Sequence, residues 1–304
     1  MATGKDIQVC INPHFDAVSL WIGSYGGQDS ASDISRGVLA AKRGVPRLLE
    51  LFRRYGVKVT WNITGHSMES FPKTADTIIA SGSEIGIHGY LHENPQAMSR
   101  QQEAEVLDKT IELVVSRTGK RPTSYAAPWC EFSDNTIDLL LSRGITCDST
   151  MMEDDFHPYY LRRGDRWTNI DYSKPAGEWM KPWQAGEEVD LVEIAPSWHL
   201  SDASPTIFVK TLPNSQGWVT GQQIGQIWMD HFDWVYRNND YATFPICFHP
   251  DAAVRPHVLM AIERLIVHML QHQGVRMVTH AEAAADHRRR VPFGSRPADA
   301  GTGL

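Results

Sequence analysis

Short apolar runs alternating with amphipathic helical stretches constrain this chain more than any other feature of its sequence. The runs lie at 7–12, 57–63, 84–87, 123–126, 145–148, 189–195, 243–248 and 275–278, and each reads as a strand. Between them fall four apolar stripes at helical spacing. Leu48, Leu49, Phe52 and Tyr55 form one, and Leu107, Ile111, Val114 and Val115 the next. Ile224, Ile227, Trp228, His231, Phe232 and Val235 make a third, and Val258, Ile262, Leu265, Ile266 and Met269 a fourth. Ser99 with Gln102 and Thr279 with Glu282 read as capping boxes, while Pro46 and Pro256 read as first-turn prolines. Such alternation predicts an α/β protein with a mostly parallel sheet covered by helices. No Gly-x-Gly-x-x-Gly follows the first strand, which disfavours the dinucleotide-binding sheet and leaves a (β/α) barrel of seven to eight strands. One domain is expected over 1–288, with a flexible tail at 289–304. Two long segments, 151–188 and 196–220, interrupt the rhythm and are expected to form lids or binding walls.

Composition removes several classes of function. With 29 Lys+Arg against 36 Asp+Glu, the net charge of −7 lacks the basic excess of a nucleic-acid binder. No apolar run approaches the ~20 residues of a membrane span. The N-terminal residues lack an apolar signal core, so a cytoplasmic protein is expected. Cys10, Cys130, Cys147 and Cys247 lie in or beside strands and read as buried or site-lining thiols, without a CxxC pair.

The chemically capable residues gather at the carboxyl ends of the strands, where barrel enzymes build their sites. Asn12, His14 and Asp16 share one parity on the first strand. His88 and His92 follow the third, Trp129, Cys130 and Glu131 the fourth, and Asp148 ends the fifth. Trp198 and His199 follow the sixth, and His249-Pro250-Asp251 the seventh. Two imidazoles and a carboxylate from Asp16, His88 and His92 suit a divalent metal with open positions for water and substrate. Trp129, Glu131, Trp198 and Asp148 are candidate substrate-binding residues. Glu131 reads equally as a solvated acid at a helix start, and Asp148 and Asp155 read either as groups that assist His249 or as turn formers. Asp251 either caps the following helix or orients His249. The remaining histidines, including His231, His268, His272 and His280, read as solvated or satisfied core groups. The loop tryptophans Trp167, Trp179, Trp183, Trp198 and Trp218 suit interfaces or substrate.

His14-Phe15-Asp16, His88-xxx-His92, Ala127-Pro128-Trp129 and Phe248-His249-Pro250-Asp251 resemble, in order and rough spacing, the motifs of the polysaccharide deacetylase (NodB-homology) family. The segments 21–27, 33–37, 92–95 and 233–237 resemble a subgroup that includes a peptidoglycan-deacetylase-like protein and cyclic imidases. The resemblance spans roughly residues 7–288. It implies a deformed (β/α) barrel that hydrolyses non-peptide C–N bonds with one divalent metal ion, zinc favoured. In it Asp16, His88 and His92 match the metal ligands and His249 the general acid. It also implies a homo-oligomer.

Two positions depart from the family's pattern. His14 stands where an acidic base is usual, and Ala126 where an Arg often tunes that base. A neutral His14 can serve as base or become an extra ligand. The leading expectation is a hydrolase of a small cyclic imide, ureide or amide. The alternatives are an N-deacetylase of an amino-sugar polymer, or a metal-binding homologue without hydrolytic activity. A small-molecule substrate is expected, with no nucleic-acid or membrane partner.

Overall fold

The computed structural model describes residues 4–22, 30–209 and 219–295. Among the described residues, nine strands form one sheet: β1 (Asp6–Phe15), β2 (Thr60–Ile63), β3 (Glu84–Ile87), β4 (Ser124–Tyr125), β5 (Cys147–Asp148), β6 (Tyr159–Arg163), β7 (Glu187–Glu193), β8 (Tyr241–Phe248) and β9 (Val275–Met277). Their order is β6-β7-β5-β4-β3-β2-β1-β8, with β9 beside β1. Every pairing is parallel except β6 with β7. All eight runs expected from the sequence are strands. The sheet curls into a half-barrel, the deformed barrel expected. At the seam, Phe156 accepts a backbone hydrogen bond from Thr243 at 2.8 Å, and Cys247 one from Asp202 at 3.3 Å.

β6 is the strand that sequence periodicity missed. Its run Tyr-Tyr-Leu-Arg-Arg is short and half charged, as suits an edge strand. Arg162 pairs with Asp165, and Arg163 with Asp138 at 2.7 Å. Much of the expected 151–188 lid is therefore an antiparallel excursion on the sheet edge.

The long strand β1 shows how the sheet sorts its side chains. Ile7, Val9, Ile11 and Phe15 pack outward under the helices, with Val45, Leu48 and Phe52 of helix Val45–Tyr55. Gln8, Cys10, Asn12 and His14 occupy the other face. That concave face is filled by the helix His280–Arg290, whose Ala283 and Ala284 pack on Cys10, Cys147, Val192 and Ile194. Small residues let the helix approach where a closed barrel would stack layers of side chains. Both expected capping boxes are present, and Thr220 with Gln223 makes a third. Arg289 and Arg290, where the flexible tail was expected to begin, belong to this last helix, and Tyr160 donates to the Val291 carbonyl at 2.8 Å. Residues 296–304 of the expected tail lie outside the described residues. Among the described residues no helix is long and apolar enough to cross a membrane. The four cysteines are free thiols.

Candidate active site

A cavity of about 240 Å³ opens at the carboxyl ends of the strands. Asn12 and His14 of β1 reach it from one side, and His88 and His92, after β3, from another. Cys247 and His249 at the end of β8 complete the ring. The wall toward solvent comes from Trp129 and from the segment after β7, including Trp198, Leu200 and Ile207. Of the two long segments, the one at 196–220 thus supplies most of the wall, whereas Met152 alone among the lining residues comes from 151–188.

Backbone strain is concentrated here. Among the described residues, the non-glycine residues with positive φ are Ala17, His92, Trp129 and Cys130, at 47°, 60°, 65° and 52°. All follow strands β1, β3 and β4. Each costs on the order of 1–3 kcal/mol and persists where its surroundings over-determine it. Glu93 supplies part of that restraint, because its carboxylate accepts from the backbone N–H groups of Tyr90, at 2.8 Å, and Leu91, at 2.5 Å. Trp129 Nε1 donates to the His92 carbonyl at 3.0 Å, locking the two strained turns together. Gly89, at φ 64°, lies so close to Glu93 that a Cβ would sit 2.7 Å from its Oε1.

The donor set is tautomerically prepared for a cation. His88 Nδ1 donates to the Ala126 carbonyl at 2.7 Å, which leaves Nε2 as its lone-pair nitrogen. That nitrogen lies 3.7 Å from Asp16 Oδ1. His88 Nε2, His14 Nε2 and both carboxylate oxygens of Asp16 are buried without a hydrogen-bond partner. Ligand atoms of His14, Asp16 and His88 all lie within 4.8 Å of one another. The His92 ring lies 5.1 Å from that of His88. Burial holds His14 and His92 well below the usual imidazole range, and neighbouring imidazoles reinforce this. Burial likewise lowers His88 to about 4 and raises Asp16 to about 7. Neutral imidazoles beside a carboxylate whose oxygens have no hydrogen-bond partner fit a divalent ion, which would satisfy the orphaned Asp16 and His88 atoms together.

Opposite stands His249, whose ring lies 5.2 Å from that of His14. Its Nδ1 is 2.9 Å from Oδ1 of Asp202, a carboxylate that also accepts the His249 backbone N–H at 2.9 Å. Burial opposes the charged imidazole. The Asp202 hydrogen bond, with the charges of Asp202, Asp16 and Asp251, outweighs it and pushes His249 up to about 9. Sequence reasoning missed Asp202, although an acid four residues beyond Trp198 at a strand end was a usable signal. Cys247, expected as a buried or site-lining thiol, lines the cavity, and its Sγ clusters with His14 and His249.

The other expected site residues divide. Trp129 and Trp198 line the cavity and are 39 % and 55 % exposed. Glu131 accepts from Gln96 Nε2 at 2.6 Å on the surface and is not among the lining residues. Asp251 is buried in the first turn of helix Pro250–Ala253, behind His249. Asp148 lies on the opposite face of β5 from Cys147. It is fully buried there, accepts from Thr150 Oγ1 at 2.9 Å and stands opposite Glu193 in the register of β5 with β7. Burial raises both carboxyls, Asp148 to about 6. Asp155 is exposed. Among the histidines read as solvated or core groups, His280 instead lines the inner end of the cavity, and neither of its ring nitrogens has a partner. Residues 23–27 and Trp218 lie outside the described residues.

Comparison with known proteins agrees with this geometry. The family model for polysaccharide deacetylase matches residues 34–147. The peptidoglycan deacetylase of Helicobacter pylori is 51 % identical over 288 residues, covering 95 % of this chain and 98 % of the relative. The peptidoglycan deacetylase-like protein FGM2 of Gibberella zeae is 38 % identical over 93 % of this chain and 86 % of its own. A solved Mycobacterium smegmatis structure assigned to the polysaccharide deacetylases superposes with a TM-score of 0.79 at 26 % identity, over 94 % of this chain and 92 % of that one. The fold of Puue allantoinase is shared as well, with a TM-score of 0.74 at 20 % identity over 95 % and 93 % of the two chains. The chain is a hydrolase of carbon–nitrogen bonds other than peptide bonds, and it belongs to the divalent-metal-dependent polysaccharide deacetylase family.

Proposed function

We propose that this chain removes the N-acetyl group from amino sugars of a peptidoglycan-type polymer. The observation that carries this reading is the convergence of unpartnered His14, Asp16 and His88 atoms opposite the His249–Asp202 pair across one cavity. The identity to a relative named as a peptidoglycan deacetylase supports the substrate class over the cyclic imide first expected. Asp16, His88 and His92 would hold the ion, zinc being favoured by a His/carboxylate set. When bound, the cation polarises the amide carbonyl and makes water more acidic. His14, kept neutral by burial, is placed to take a proton from the attacking water at Nε2. His249 carries a proton at neutral pH and delivers it to the leaving nitrogen, while Asp202 fixes its ring and tautomer. Trp129 and Trp198 give the sugar apolar faces to lie against.

One observation favours a second reading, a compact imide, ureide or amide. The cavity ends in buried polar groups, Asn12 and the unpartnered His280, which suit a small ring bearing hydrogen-bonding edges. Assay of the metal-loaded protein on N-acetylglucosamine oligomers and on five-membered imides decides between them. Turnover of imides alone rejects the deacetylase reading, and inactivity on both rejects hydrolysis of either class. The self-association implied by the family resemblance is read from light scattering of the same preparation.

A further inference from the structure

We propose that Asp233, His268 and His272 form a second divalent-cation site, of the zinc type, that clips two helices of the outer layer together. Asp233 lies on helix Gly221–Asn238, His268 on helix Pro256–Leu270, and His272 two residues beyond the latter's end. One ligand atom from each lies within 4.8 Å of the others. None of the three lines the active-site cavity. Their neighbour Phe232 packs against Phe244, on the outward face of β8, whereas His249 serves the inner side.

The pair of Asp233 with His268, at 2.6 Å, would by itself be an ordinary carboxylate–imidazole hydrogen bond. Three further features point to an ion. His272 Nδ1 donates to the His268 carbonyl at 2.9 Å, which fixes the tautomer and presents Nε2 as a lone pair, as in metal-binding histidines. The rings of His268 and His272 lie 4.8 Å apart, close enough for both to reach one ion. Both helices also direct their carboxyl ends here, where backbone carbonyls favour positive charge. Phe232 and Tyr236 stand against the His272 ring at 5.1 and 4.6 Å and restrict its motion. His268 and Asp233 side chains remain 28 % and 41 % exposed, so an ion can enter and water can complete its shell. Two imidazoles and one carboxylate are a donor set suited to Zn²⁺ rather than Ca²⁺ or Mg²⁺.

The test is Zn²⁺ stoichiometry on the full chain, by competition with a chromophoric chelator and by elemental analysis after gel filtration. Two equivalents per chain are expected for the unaltered protein. One is expected for His272→Ala and for the shape-conserving Asp233→Asn, with the other site still filled. Conversely, His88→Ala should retain the equivalent that these variants lose. Zn²⁺ should also raise the melting temperature of His88→Ala but not of His88→Ala/Asp233→Asn. A single equivalent in the unaltered protein overturns the site. So does a second equivalent that survives both His272→Ala and Asp233→Asn.

Discussion

Replacing Asp202 by Asn tests the acid side of the active site, because it removes one charge while keeping the side chain's size. Burial alone would push the His249 imidazole down. The Asp202 carboxylate, hydrogen-bonded at 2.9 Å, is the largest opposing influence and helps hold it at about 9. Without that charge, burial dominates and the value falls to the ordinary ~6.5 or below. At about pH 7.5, an imidazole at about 9 is roughly 97 % protonated, whereas one at ~6.5 is roughly 9 % protonated. Loss of the proton alone therefore lowers turnover about tenfold at that pH. Loss of the fixed tautomer adds to this, within the ~10²–10⁴-fold range of general acid catalysis. A bound cation lowers the His249 value in both proteins, so the downward shift between them is the quantity to measure. The alkaline limb of the pH–rate profile should move down by about 2.5 units or more in Asp202→Asn, and the His249 ring proton resonance should titrate with it. An alkaline midpoint unchanged by the substitution refutes the assignment of Asp202 as the group that keeps His249 charged.

Four other outcomes follow from the geometry. His88→Ala should lose most of the active-site metal, and full retention of that ion by elemental analysis would reject His88 as a ligand. His14→Ala should keep the metal yet depress turnover by about a hundredfold or more, while His14→Asp restores an acidic base; loss of the ion on either change would make His14 a ligand instead. Gly89→Ala should destabilise the fold by about 2 kcal/mol or more, since a Cβ meets both a positive φ and Glu93, and urea unfolding with an unshifted midpoint would contradict this. Burial raises Asp148 and Glu193 in the folded chain, so the folded state binds more protons than the unfolded one above about pH 4, and stability falls as pH rises through about 6. Glu193→Gln should accordingly gain thermal stability over the unaltered protein at pH 8 more than at pH 5, and an equal difference at both pH values would contradict the raised Glu193 carboxyl.

Much of the scaffold was legible because it depends on local periodicity. Alternation along β1 places Asn12 and His14 on one face whatever the rest of the chain does, since successive side chains on a strand point oppositely. Capping boxes at Ser99 and Thr279 are equally local, with donor and acceptor three residues apart. Tertiary structure decided what periodicity leaves open. Cys147 and Asp148 are both buried, so hydropathy cannot say which faces inward; the pairing of β5 with β4 and β7 turns Cys147 in and brings Asp148 to Glu193. The edge strand β6 exists because β7 offers it a partner, not because its half-charged run demands one. Asp202 meets His249 across 47 residues, and Asp233 meets His268 across 35. Those meetings depend on how far the sheet curls and how the helices pack on it. Residue types and strand ends are thus written locally, whereas the pairings that set charge and tautomer arise only when distant segments share the same few ångströms.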